Sequence, residues 1–283
     1  MKKRGQWFLI ILIIRFSGFM GCSATPSIPT APPIRSLPSG EAIIKKSREH
    51  LDQIQDEKSR IILKLVAKDS SQLEIIMWRY WKNYKSRDGL LSKSILFTEA
   101  PPDLFGQAFM IWDYSVKGKP QDLWMYLPSL RNILRVPQQE QGAAFMGSDL
   151  TFADMGQRRL DEETHNTIGR DLYKGVASYI VESIPTEKKG VYGKTITWVS
   201  EDHFTVQRID YYDLKGKFLK QQIIDWEILK DKSNNGYFWK KTTVVNMQTG
   251  HRTVLEIGNR TINLDISDDD FTERSLRAGT LRK

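Results

Sequence analysis

The sequence predicts a mainly β protein, an antiparallel meander opened by one helix, and three features of the chain carry that expectation. From residue 58 onward, β-branched and aromatic residues come in short runs parted by turn residues about every ten positions. Several of the separators have a mechanism. Asp213-Leu214-Lys215-Gly216 puts glycine where a hairpin needs positive φ, Asn234-Asn235-Gly236 does likewise, and Gln248-Thr249-Gly250 parts two runs of β-branched residues. Ahead of these runs, residues 41–56 have a helical period instead, with Ile44, Leu51 and Ile54 near one face.

Taken in order, the chain begins with Lys2, Lys3 and Arg4, then an apolar run from Trp7 to Ile14, then small residues, the order of an export signal. A spanning helix needs about 20 mostly apolar residues, and Arg15 interrupts this run first, which favours cleavage over a permanent span. Phe19-Met20-Gly21-Cys22 resembles a bacterial lipoprotein box, in which the cysteine is acylated and becomes the first mature residue. An ordinary secretory signal with an incidental cysteine is the other reading. Cys22 is the only cysteine, so the chain forms no internal disulfide and no thiolate cluster. Acylation gives the lone thiol a role, since each buried methylene contributes about 0.8 kcal/mol to membrane attachment.

The expected organisation is a signal peptide over 1–21, a lipid-anchored tether over 22–40 rich in Pro, Ser and Thr, and one domain over 41–283. Without residues 1–21 the chain keeps 38 Lys and Arg against 34 Asp and Glu, so its formal charge falls from +8 to +4. These charges are interspersed, without the basic clusters that track phosphates, which makes nucleic acid a poor partner. In the domain, Ser39 is the expected N-cap of the 41–56 helix and Glu41 suits its positive end. Strands are expected over 59–68, 72–85, 90–99, 106–116, 121–127, 130–136, 171–184, 191–199, 203–212, 217–229, 236–247 and 251–260. Residues 137–170 break the meander as an irregular insertion with a short helix near Asp149 to Met155; it is either a lid, with Phe145 and Met146 as its apolar contacts, or a flexible loop.

The chemistry of an enzyme is absent from the motifs. His50, His165, His203 and His251 lack metal-ligand spacing, and no metal site or cofactor is expected. Met146-Gly147-Ser148-Asp149 lacks the second glycine of a hydrolase elbow, and no nucleotide-binding glycine loop is present. The run of Asp265, Asp268, Asp269 and Asp270 lacks the order of a calcium loop and reads as a solvated charged turn. What stands out instead is aromatic surface. Trp78 and Tyr80 share one face of a strand, as do Met110 and Trp112, and Trp124 and Tyr126. They are either core under the helix or the lining of an apolar cavity. One helix covers too little of so long a sheet, which keeps the cavity reading open.

Gln121-Asp-Leu-Trp-Met-Tyr-Leu-Pro128-Ser-Leu-Arg131 and Phe145-Met-Gly-Ser-Asp149-Leu-Thr-Phe-Ala-Asp154 resemble hallmark stretches of the outer-membrane lipoprotein-sorting, LolA-like family. So do Pro101-Pro102-Asp103-Leu104-Phe105-Gly106-Gln107-Ala108-Phe109 and the 202–226 hairpin, so the resemblance runs from about 41 to 275. It implies an unclosed, curved antiparallel β-barrel of about 11 strands, with helices lidding its mouth over an apolar cavity for acyl chains. It also implies a carrier, not an enzyme, facing the periplasm, with lipoprotein acyl chains or lipid as ligand and Trp78, Tyr80, Trp112, Trp124 and Tyr126 as the cavity lining. Soluble shuttles of this kind carry no anchor. A lipidated Cys22 therefore points to a membrane-fixed acceptor or accessory lipid handler, placed by Ser23 at the outer membrane. A rival reading is a filled, structural module that docks an envelope transporter and takes no lipid.

Overall fold

A computed structural model describes residues 37–281 apart from 188–189 and 232–233; the expected signal peptide, Cys22 and most of the expected tether lie outside the described residues. Six strands, β1 Asp56–Val66, β2 Gln72–Asn83, β3 Leu90–Ala100, β4 Ala108–Tyr114, β5 Asp122–Leu127 and β6 Asn132–Arg135, run as successive antiparallel neighbours. Seven more follow: β7 Glu163–Tyr173, β8 Val176–Pro185, β9 Tyr192–Ser200, β10 Val206–Asp213, β11 Phe218–Asp231, β12 Asn234–Asn246 and β13 Arg252–Ile262. Pairing of β1 with β13 joins the two meanders into one curved 13-stranded sheet, in the order β6-β5-β4-β3-β2-β1-β13-β12-β11-β10-β9-β8-β7. The edges β6 and β7 do not pair, so the barrel stays unclosed, and the chain crosses between them through residues 136–162.

The fold class is the one the sequence predicts, with 13 strands where about 11 were expected. The difference centres on the segment read as 171–184. That run is a hairpin, because Lys174 and Gly175 have φ of 49° and 82°, the left-handed pair that a two-residue turn requires. β7 therefore begins at Glu163 and takes residues 163–170, the end of the expected insertion. Asn234 and Asn235, expected in a turn, begin β12 opposite Asp231 and Lys230. The predicted 41–56 helix is shorter: α1 spans Gly40–Arg48, capped by the Ser39 side chain, and Glu49–Gln53 tighten into a 3-10 turn. The Asp149 to Met155 helix is a 3-10 turn over Phe152–Met155, closed by a reciprocal capping box between Thr151 and Asp154.

Alternation along the strands gives the sheet two faces. The inner one carries Ile61, Leu63, Ile75, Met77, Leu96, Phe109, Val244 and Leu255, and residues 145–155 pack into it through Phe145, Leu150 and Phe152. Phe145 meets Phe109 edge to face at 4.8 Å. α1 covers the same face at β8 and β9, where Ile43 and Ile44 pack on Tyr179, Val181 and Val199. It can lie this close because Gly40 has no side chain: a Cβ there would come within 2.6 Å of the His165 carbonyl. The outer face is covered by the C-terminal segment, including a second helix, α2 Glu273–Ala278, that the sequence reading did not predict. In the acidic run before α2, Asp265, Asp268 and Asp269 are exposed as expected, but the run is also tied to the sheet. Asp270 is buried, and Asp268 pairs with Lys82 at 2.8 Å and accepts the Tyr84 hydroxyl at 2.6 Å.

Candidate functional site

Residues 145–155 fill only part of the inner face. Beyond them a cavity of about 930 Å³ opens between α1, the 3-10 turn after it, the inner pleat of β9 to β12 and the 153–165 segment. Sites for drug-sized molecules span about 300–1,000 Å³, so this one accommodates a chain-like ligand. Ile44, Leu51 and Ile54, the apolar face predicted for the helix, all line it with Trp81, Ile224, Trp226, Phe238 and Trp239, and Ile54 packs directly with Trp81 and Phe238 at one end. Arg48, Glu57, Arg79, Arg158, Glu163 and His165 add a charged band to the same walls.

The charged residues are mostly committed to one another. Asp154, brought in by its capping turn, accepts from Lys220 at 2.9 Å, from Arg158 at 3.2 Å and from the Tyr192 hydroxyl at 2.6 Å. Burial alone would push the Asp154 carboxyl up, but Lys220 and Arg158 outweigh it and hold the group below its ordinary value. The Lys220 ammonium also donates to the Asp149 carbonyl at 2.6 Å, and the Asp149 carboxylate is bonded by His251 and Thr253. This knot fixes residues 149–158 to β11 and β13. Nearer the mouth, Glu57 accepts from Arg79 and Arg260, each at 3.1 Å, and Arg260 also reaches Glu227 at 3.0 Å. Burial pushes the His165 pKa down, and both ring nitrogens are engaged, by the Ser183 hydroxyl and the Leu160 carbonyl. A carbonyl can only accept, so Nε2 donates to Leu160, while burial disfavours the charged form of the ring.

Asp113 on β4 is the unmatched acid of this face. Burial pushes its carboxyl up to about 6, although the Ser92 hydroxyl donates to one oxygen at 2.8 Å and Arg79 lies nearby. The other oxygen is buried without a hydrogen-bond partner. A native pKa above the ordinary 3.8 means that the folded state holds this proton more tightly, so stability from this group falls as pH rises from about 4 through 6. Asp113→Asn is expected to raise the unfolding free energy by about 1–3 kcal/mol near pH 7.5. The gain should vanish below about pH 4, where the wild-type acid is already protonated; urea titrations at the two pH values measure both.

The aromatic residues singled out in the sequence do converge, on the outer face. Register places Trp124, Met110, Ile95 and Tyr80 side by side across β5, β4, β3 and β2, and likewise Tyr126, Ala108, Phe97 and Trp78. Tyr80, Trp112, Trp124 and Tyr126 pack with Ile266, Phe271 and Leu276 of the C-terminal segment, while Trp78 lies under the Lys58 ammonium at 4.8 Å. None of the five lines the 930 Å³ cavity, which corrects the expected lining. Shared parity was read correctly, but alternation alone does not say which parity turns inward. Phe145 is fully buried and Met146 packs beside it against the inner core of the sheet. The residues missed, Trp81, Trp226 and Trp239, carried one usable signal: Trp81 continues the Ile75–Met77 row on β2.

A family model described as "Uncharacterized protein" matches residues 91–278. Among solved structures, a Vibrio parahaemolyticus domain named for outer-membrane lipoprotein sorting superposes with TM-score 0.77 at 20% identity, over 84% of this chain and 98% of that one. A DUF1329 family protein of Desulfovibrio piger gives 0.78 at 24% identity, over 84% and 97%. A LolA superfamily protein of Nitrosomonas europaea gives 0.65 at 16% identity, over 84% and 100%. No curated protein matches the sequence.

Proposed function

Because this chain belongs to the family whose model matches residues 91–278 and has the fold of LolA-like, lipoprotein-sorting proteins, we propose that it is a non-enzymatic envelope protein that binds acyl chains in its inner cavity. The observation that carries this reading is the cavity itself, lined by Trp81, Trp226 and Trp239 of the sheet and by Ile44, Leu51 and Ile54 of α1 and the turn after it. Apolar walls replace the membrane around a chain at about 0.8 kcal/mol per methylene buried. The open mouth between α1 and the sheet gives the chain a way out. In this reading Cys22 holds the protein on the periplasmic side of the outer membrane, and the Pro-rich stretch lets the domain reach its donor.

Three tryptophans in the wall provide the test. Titrating delipidated protein with a lipopeptide whose palmitoyl chains are brominated is expected to quench tryptophan fluorescence saturably, and Ile224→Asp is expected to weaken the effect at least tenfold, about 1.4 kcal/mol. Native mass spectrometry of envelope-purified protein should show a diacylglyceryl mass on Cys22 and extractable lipid. An absence of both quenching and co-purifying lipid would refute the carrier. One observation favours the rival docking module: Phe145, Leu150 and Phe152 already fill part of the inner face. That module predicts a transporter in pull-downs and no lipid at any step.

A further inference from the structure

Five arginines stand in or beside the cavity, and four have carboxylate partners: Arg79 with Glu57, Arg158 with Asp154 and Glu163, Arg159 with Asp161 and Glu162, and Arg260 with Glu57 and Glu227. The fifth, Arg48, makes no ion pair among the described residues. Its Nη1 donates to the Arg158 carbonyl at 2.7 Å, and no other hydrogen bond among the described residues engages its five N–H groups. It is part-buried at the end of α1 and lines the cavity, with apolar Ile44 and Leu51 on either side of it in sequence. Glu163 attracts it through space but spends its hydrogen bond on Arg158. Burial pulls the Arg48 pKa down, and the neighbouring Arg158 adds to that, against the through-space attraction of Glu163 and Glu162.

A guanidinium is stabilised when a carboxylate or phosphate meets its planar fork, and Arg48 lines the cavity with a single hydrogen bond to the protein among the described residues. Resting on the acyl-chain reading above, we propose that Arg48 is a headgroup site and that the ligand is an anionic amphiphile. A lipid phosphate or carboxylate sits on Arg48, and its chain runs along Ile54, Trp226 and Trp239. The acylated cysteine of a lipoprotein carries its chains on thioether, ester and amide links, with no oxyanion at that end. The arrangement therefore favours a free anionic lipid over a lipoprotein as the preferred cargo.

Calorimetric titration of the full-length protein compares three probes: 1-palmitoyl lysophosphatidic acid, monopalmitoylglycerol with the same chain and no charge, and inorganic phosphate. The lysophosphatidic acid is expected to bind at least about tenfold more tightly than the neutral lipid, the value of one charge-assisted hydrogen-bond set. Arg48→Met should erase that difference, so that the two lipids bind with equal affinity. Inorganic phosphate alone should bind far more weakly than either lipid. Equal affinity of wild-type protein for the two lipids would overturn the proposal while leaving the acyl-chain carrier intact, and this comparison needs no variant to fold. Equal loss of both lipids in Arg48→Met would also overturn it, by making Arg48 a brace between α1 and the 158 carbonyl. Phosphate binding as tightly as the charged lipid would assign the site to free phosphate. Binding of neither lipid would refute the carrier reading together with this one.

Discussion

Asp154→Ala is expected to lower the unfolding free energy by about 3–5 kcal/mol, the cost of removing one partner from a buried ion pair. Lys220 is only 3% exposed and would lose its sole carboxylate, keeping the Asp149 carbonyl, which carries no net charge to offset the ammonium. Arg158 would retain Glu163, and the Tyr192 hydroxyl would be left buried without its acceptor. The loss should appear as a lower urea midpoint with an unchanged slope. Asp154→Ala combined with Lys220→Met should recover much of it, because the uncompensated charge is then gone too. The pH dependence has a defined sign. Asp154 is held below the ordinary 3.8, so its contribution is present above that value and is lost as pH falls through the lower native value. Acid unfolding of the variant should therefore be shallower than that of wild type in that range.

Why this knot escaped the sequence reading is physical. Asp154 and Lys220 are 66 residues apart, and neither belongs to a periodic pattern that fixes what it faces. Alternating β-branched runs made the strands legible, because half-buried strands need period 2 whatever lies above them. α1 was legible for the same reason, and Ile44, Leu51 and Ile54 do face the cavity. The β7–β8 hairpin was missed because its turn rests on Lys174 at positive φ, and only Gly175 of the pair advertises that conformation. The aromatic rows were found with their parity right and their side wrong. Curvature decides which pleat becomes the inside, and curvature is set by the whole sheet and by what packs on it, including α2 and Phe271, which carried no sequence signal strong enough to place them.

Phe271→Ala is expected to cost about 3–5 kcal/mol, the range for truncating a fully buried phenylalanine. The side chain is 0% exposed and sits among Ile95, Phe97, Met110 and Leu276, so its removal leaves a cavity that the rigid sheet beneath cannot close. Other ties hold the same segment: the Asp56 carboxylate accepts the Leu264 and Ile266 amides at 2.6 and 2.9 Å, and Lys82 pairs with Asp268. Asp268 is 61% exposed, so its pair with Lys82 is worth at most about 1 kcal/mol and Asp268→Asn should be a small change beside Phe271→Ala. Loosening the segment uncovers Trp112 and Trp124, which lie under it edge to face at 5.3 Å, and acrylamide quenching should rise in Phe271→Ala before global unfolding in a urea titration. The same variant, at temperatures where it is folded, should bind amphiphiles in the inner cavity as wild type does, because the segment and the cavity lie on opposite faces of the sheet. Weakened binding there would mean that the outer-face packing sets the curvature of β1 to β5 and, through it, the position of Trp81 in the cavity wall.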